Sequence, residues 1–310
     1  MKKLFFISLL IFLQSCNNND TIDPNDPWGQ ITTDEPEFYA ASDVNESVIE
    51  LTKTWYRVAA NAWGNYGPTE YWIVGKSESA AAELDKLYCD IRKEKSGQRI
   101  NNCLNRDYNF ISYAKDGNAG LNTRRDQGDS WDGFIITMSA KRPGPEEEDY
   151  KPVSLHEYFH IYQHAHVFSK KRSERDAMNK KNPWWMEGGA EYMGQLLYSK
   201  QSEVKEGYLK ERMSWKMETK SELNPGEKIS DIEYGTRGNI AYDLGSWFIA
   251  YIISRSSLDA YLIDFYDNLN EFGFEESFVK NFGVSSQEML DDFHNIFLEL
   301  PIEDQLNIIP

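Results

Sequence analysis

The chain has 310 residues, of which 40% are hydrophobic and 14% aromatic, enough for one large domain or two lobes around a real core. That composition excludes an intrinsically disordered protein. A net charge of -17 repels phosphate backbones and anionic lipid heads, which argues against a nucleic-acid partner.

Residues 1 to 16, M-K-K-L-F-F-I-S-L-L-I-F-L-Q-S-C, combine a basic start, an apolar run too short to span a bilayer, and Cys16. This resembles a bacterial lipoprotein signal with L-Q-S-C as its lipobox, although Gln14 stands where a small residue is usual. The resemblance implies removal of residues 1–15, acylation of Cys16, and an exported protein. Its only membrane contact would be that lipid, with the outer membrane the expected one and the domain facing periplasm or cell surface. An ordinary secretory signal, in which Cys16 has no special role, is the alternative. Residues 16–36 are rich in Asn, Asp and Pro and read as a disordered tether, so the folded part is expected to begin near Glu37.

Apolar positions Val48, Ile49, Leu51, Trp55, Val58 and Ala59 recur at helical spacing and predict a helix over 45–63. Tyr71 to Val74 reads as a strand, 78–89 as a helix, and Phe110 to Tyr113 as a second strand. Cys89 and Cys103 enclose a short polar segment. In an exported chain a disulfide between them is the natural pairing, with two free buried thiols as the alternative. Residues 115–131 are polar and glycine-rich, hence loop, and Gly133 to Ala140 returns to strand character. The acidic run Glu146 to Asp149 is most simply a solvated loop.

Residues 155–166, L-H-E-Y-F-H-I-Y-Q-H-A-H, hold four of the five histidines of the protein. On a helix His156 and His160 lie one turn apart on one face, where two imidazoles can grip one metal ion, with Glu157 beside it. This H-E-x-x-H pattern suits zinc hydrolysis, which needs about four ligand positions, one left for water, and a carboxylate to accept that water's proton. Two candidates exist for the third ligand. His166 stands where the metzincin pattern puts its third histidine, but Gln163 replaces the glycine that turns the chain there. The other is Glu187 in W-W-M-E-G-G-A-E-Y, following the loop and helix-start signal Asn182-Pro183.

The second stretch, with H-E-x-x-H ahead of it, resembles the gluzincins, the thermolysin-like and aminopeptidase-like zinc peptidases, over about residues 130–255. The resemblance implies that Glu187 is the third ligand and that Glu191, on the same helical face, holds a ligating histidine in its tautomer. It also implies that the strand at 133–140 lies along the cleft and offers a free edge to an extended peptide, unless it is a fully paired core strand. There is no G-x-M-E-N stretch upstream, which puts an aminopeptidase activity in doubt.

Residues 199–233 are polar and are expected to form a helix and a loop over the cleft. Ile240 to Ile253 reads as a buried helix. Its start resembles the Y-x-x-G pattern of the aminopeptidase branch at Tyr242 and Gly245, which makes Tyr242 the donor to the oxyanion, with Tyr234 the second choice and a plain core aromatic the alternative for Tyr242. Arg237 is expected on the surface. Helices follow at 258–269, 274–281 and 287–300, the last with a capping box from Ser285 and Glu288, and His294 is read as packed or surface-lying.

The expected fold is α+β, a thermolysin-like zincin with a small mixed sheet and helices in an N-terminal lobe, about 37–168, and a mainly helical C-terminal lobe, about 169–310. The expected activity is hydrolysis of a peptide or protein substrate with one zinc ion on His156, His160 and Glu187, Glu157 as general base and Tyr242 at the oxyanion. The competing readings are a peptidase-like binding module without turnover and a structural zinc protein.

Overall fold

The computed structural model describes residues 26–126, 130–179 and 183–310. The expected signal peptide and Cys16, the expected tether up to residue 25, and Asn182 lie outside the described residues. The fold is α+β, with a small mixed sheet of four strands and twelve α-helices among the described residues.

The first half contains β1 (Glu37–Ala40), α1 (Glu46–Trp63), β2 (Thr69–Val74), α2 (Glu78–Ser96), α3 (Ile100–Leu104), α4 (Phe110–Asp116), β3 (Ala119–Arg124) and β4 (Gly133–Ser139). Helices follow as α5 (Tyr150–Ala165), α6 (Arg172–Met178), α7 (Pro183–Ser199), α8 (Tyr208–Met217) and α9 (Gly238–Arg255). The chain closes with α10 (Phe265–Phe282), α11 (Ser286–Asn295) and α12 (Ile302–Gln305). None of the described helices is long and apolar enough to cross a membrane.

The sheet order is β1-β2-β4-β3, with β1, β2 and β4 parallel and β3 antiparallel to β4. Strands β2 and β4 are buried along their whole length because helices cover both faces. Alternation sorts their side chains between the two faces. Tyr71, Ile73, Phe134, Ile136 and Met138 enter the main core under α1 and α5, while Trp72, Val74 and Ile135 enter a second core under α2 and α4. Cys89 and Cys103 lie in that second core and form a disulfide, with Cα atoms 5.6 Å apart.

Four expectations are corrected here. The strand at 133–140 has no free edge, since β4 is paired with β2 on one side and β3 on the other. The free edge belongs instead to β3, within the stretch read as loop, because A-G-L-N-T-R lacks the apolar alternation that marks a strand in sequence. Phe110 to Tyr113 opens a helix rather than a strand: Asn109 caps it by accepting a hydrogen bond from the Ser112 amide at 3.3 Å, and Phe110, Tyr113 and Ala114 are buried at helical spacing. The folded part begins before Glu37, since Trp28 is only 2% exposed. The Trp28 indole donates to the carbonyls of His164 and Val167 at 3.2 and 3.0 Å, and Arg125 ties Asp26 down at 2.8 Å.

The helices at 45–63 and 240–253 are present as α1 and α9. The capping box is present too: Ser285 accepts from the Glu288 amide, and Glu288 accepts from the Ser285 amide at 2.9 Å. Helix α2 runs on to Ser96, past the expected end at 89, because Gly97 supplies the left-handed cap at φ 65°.

The packing of α7 on α5 and α9 is what builds the site. Glycines set how closely these helices approach. A Cβ on Gly188 would lie 2.4 to 2.7 Å from backbone atoms of Gly245, and one on Gly194 would lie 3.1 Å from the His156 amide nitrogen. Without side chains at these points, α7 comes near enough to α5 for short carboxylate side chains to reach its histidines.

Candidate metal centre

Helix α5 is buried on almost every side, from Tyr150 to Ala165. A helix apolar all round sits in a core, so the polar residues at 156, 157 and 160 are deliberate exceptions that need partners. For His156 and His160, partners come from α7. The Glu187 Oε2 atom lies 3.3 Å from His156 Nε2 and 3.1 Å from His160 Nε2, and the two Nε2 atoms lie 3.1 Å apart.

Three such atoms converge this closely with a cation among them, a proton on a ring nitrogen or a metal ion. The other ring atoms fix the tautomers. His156 Nδ1 faces Glu191 Oε2 at 3.1 Å, a carboxylate that can only accept. His160 Nδ1 faces Gln163 Oε1 at 2.7 Å, and the amide is oriented by its Nε2, which donates to the Met186 carbonyl at 3.0 Å. Both Nδ1 atoms therefore carry a proton, which leaves each Nε2 as the atom that would turn its lone pair to a metal ion. Zinc bonded at about 2.0–2.2 Å to tetrahedral nitrogen and oxygen ligands sets those ligands about 3.3–3.5 Å apart. The spacing found here is a slightly contracted version of that triangle, so the three residues could hold a metal ion.

The electrostatics agree with a site made for a cation. Burial pulls the His156 ring toward neutrality, but hydrogen bonds to Glu187 and Glu191 and the nearby Glu157 push it up to about 10. Burial also opposes charge on Glu187, yet His160 and His156 hold its carboxyl well below the usual range. Glu157 differs, since burial pushes its carboxyl up against the pull of His156 and His160. A carboxylate poised upward beside a cation site is one that can take and release a proton.

His160 and Glu187 of this group line a cleft of about 630 Å³. Residues 119–121 of the β3 edge strand form one wall, and Glu157, His160, Tyr234 and Tyr242 also line it. Tyr234 donates to Glu187 Oε1 at 2.8 Å, and the Tyr242 hydroxyl also interacts with Glu187 while its ring stacks on His156 at 5.9 Å. Burial first, then the Glu187 charge, raises both phenols, so they stay neutral donors.

Of the residues singled out in sequence, His156, Glu157, His160, Glu187, Glu191, Tyr234 and Tyr242 come together. His166 does not: it ends α5, and its Nδ1 turns to the Tyr162 carbonyl at 2.7 Å. Arg237 is engaged by both Glu227 oxygens at 2.7 Å, on the surface. Sequence reasoning gave no role to Gln163, to His164, which lines the cleft and meets Asn179 Nδ2 at 3.2 Å, or to Lys216, which pairs with Glu191 at 2.9 Å. Gln163 and His164 lay inside the motif region, but nothing local marked their partners.

Three histidines are held toward neutrality by burial first, His166 among them. His164 is lowered to about 3, and His294, whose Nε2 accepts from the Ile229 amide at 3.1 Å, to about 4. Both lie below the unfolded value of 6.5, so the unfolded chain binds more protons as pH falls. The contribution of these two rings to stability should therefore be full above pH 6.5 and decline between there and about pH 3 to 4. Chemical denaturation at stepped pH values tests this, and His294→Gln should flatten the decline. An unchanged slope in that variant excludes His294 as a contributor.

No protein-family model matches the chain, and no curated protein or solved structure matches it either.

Proposed function

We propose that the protein is a zinc-dependent peptidase of thermolysin-like, gluzincin type. One observation carries the reading: two imidazole nitrogens and a carboxylate oxygen, 3.1 to 3.3 Å apart, form a triangle whose His160 and Glu187 line a cleft together with Glu157. A structural zinc site closes on four protein ligands, whereas three ligands facing a cleft leave a position for substrate chemistry.

His156, His160 and Glu187 would hold the ion, and Glu191 and Gln163 keep the two rings in the ligating tautomer. When bound, zinc acts as a Lewis acid that polarises a carbonyl and acidifies water. Glu157 accepts the proton of the attacking water and delivers it to the leaving amine. The neutral phenol of Tyr242 can donate to the carbonyl oxygen as negative charge develops there, once its proton turns from Glu187, whereas Tyr234, the second choice, spends its proton on Glu187 Oε1. The unpaired edge of β3 offers main-chain groups along the cleft wall, so an extended peptide can add to the sheet as a further strand. A lipid on Cys16 would keep this activity at a bacterial cell envelope.

The test is metal analysis of purified protein followed by digestion of a mixed peptide library with and without chelator. The expected result is one zinc per chain and cleavage that stops on chelation. Protein that takes up no zinc overturns the reading. Stoichiometric zinc without cleavage of any peptide assigns the chain to the inactive binding module instead.

A further inference from the structure

We propose that Lys216 is a positioning residue for the metal ligand His156, acting through Glu191. Lys216 lies on α8, which contributes no residue to the cleft, and it is distant in sequence from both motifs. Its side chain is only 14% exposed, and its ammonium sits between two carboxylates, 2.9 Å from Glu191 Oε1 and 2.8 Å from Asp243 Oδ1.

The division of labour between the two Glu191 oxygens is the central point. Oε1 accepts from Lys216 and from Gln195 Nε2 at 3.0 Å, and Oε2 alone faces His156 Nδ1 at 3.1 Å. A carboxylate with one oxygen held by two donors cannot turn about its terminal bond without breaking both contacts. Its other oxygen is thereby aimed at the imidazole. The supports are anchored in turn: Tyr208 donates to Gln195 Oε1 at 2.8 Å, and Thr219 donates to Asp243 Oδ2 at 2.7 Å.

The line from the ion outward is therefore His156, Glu191, Lys216 and Asp243, with alternating negative and positive charge beyond the ring. Asp243 directly follows Tyr242 on α9, so the same ammonium that aims Glu191 also fastens the turn that presents this tyrosine. Partners beyond the ligands of a metal site commonly change affinity by about 10–100-fold when removed. Released from Oε1, Glu191 can swing away from His156 Nδ1, and the ring then loses its fixed tautomer and angle.

A merely structural tie between α7, α8 and α9 would affect stability but would not act through Glu191, and a double-mutant cycle on zinc affinity separates the two. The proposal rests on the zinc reading above. Zinc dissociation constants are measured by chelator competition for wild type, K216M, E191Q and K216M/E191Q, with folding checked by circular dichroism. K216M should weaken zinc by about tenfold or more, and by less than about twofold when E191Q is already present. Should K216M fail to fold, K216M/D243N, which keeps the net charge of the cluster, replaces it in the same cycle. Wild type that binds no zinc sinks the underlying reading. Wild type that binds zinc, with K216M equal to it or with the K216M loss undiminished in the E191Q background, overturns this proposal alone.

Discussion

Glu157→Gln should lower turnover by about 10²–10⁴-fold, the range that removal of a positioned general base produces, while zinc content and fold stay as in wild type. The substitution keeps size and shape. It removes only the ability to take a proton, and Glu157 is not one of the three groups whose donor atoms form the metal triangle. Burial already pushes this carboxyl toward its neutral form, so a neutral amide in the same place costs the fold little. The measurement is kcat/KM on a peptide found by the library digest, with metal stoichiometry and thermal melting on the same sample. Full activity in this variant removes Glu157 from the mechanism. Loss of zinc would instead mean that the residue supports the ion rather than the proton.

The second large effect concerns the helix contact beneath the site. Gly188→Ala should lower the melting temperature by about 4–12 °C, taking a cost of about 2–3 kcal/mol and about 2–4 °C per kcal/mol for a large domain. Two effects compete here. Alanine is the better helix former by about 1 kcal/mol, which alone would raise stability. Against that, the new methyl would stand 2.4 to 2.7 Å from backbone atoms of Gly245, where no flexible side chain can move aside. The clash should prevail because both partners are backbone of buried helices. Because Glu187 precedes Gly188 on α7, the displacement should also weaken zinc binding. A variant that melts higher than wild type would show that α7 and α9 are not in close contact.

The grouping of the candidate metal ligands was legible in the sequence because it is local. His156, Glu157 and His160 depend only on helical spacing, and α5 supplies it. Glu187 and Glu191 were legible for a similar reason, one turn apart on one helix face, where they reach opposite nitrogens of the His156 ring. The edge strand was not legible. Residues 119–124 are half-exposed and lack alternation, and only pairing with β4 makes them a strand. The strand at 133–140 misled in the opposite sense, since its apolar run marks burial on both faces and so fits a central position.

Likewise, the stretch after residue 16 looks too polar to fold, and as far as Glu37 it was read as tether. Yet Trp28 finds a slot formed by α5 and β4, which no property of the tether's own composition could foretell. Lys216 and Asp243 sit on separate helices with nothing around them in sequence that points to a metal. Their role exists only because α8 and α9 bring them against Glu191. The amino-acid order by itself determined which groups could bind a cation and in what spacing, because helix geometry turns sequence separation into direction. Which strand borders the cleft, and which residues steady the ligands from behind, was decided by tertiary packing alone, because those relations join elements far apart in the chain.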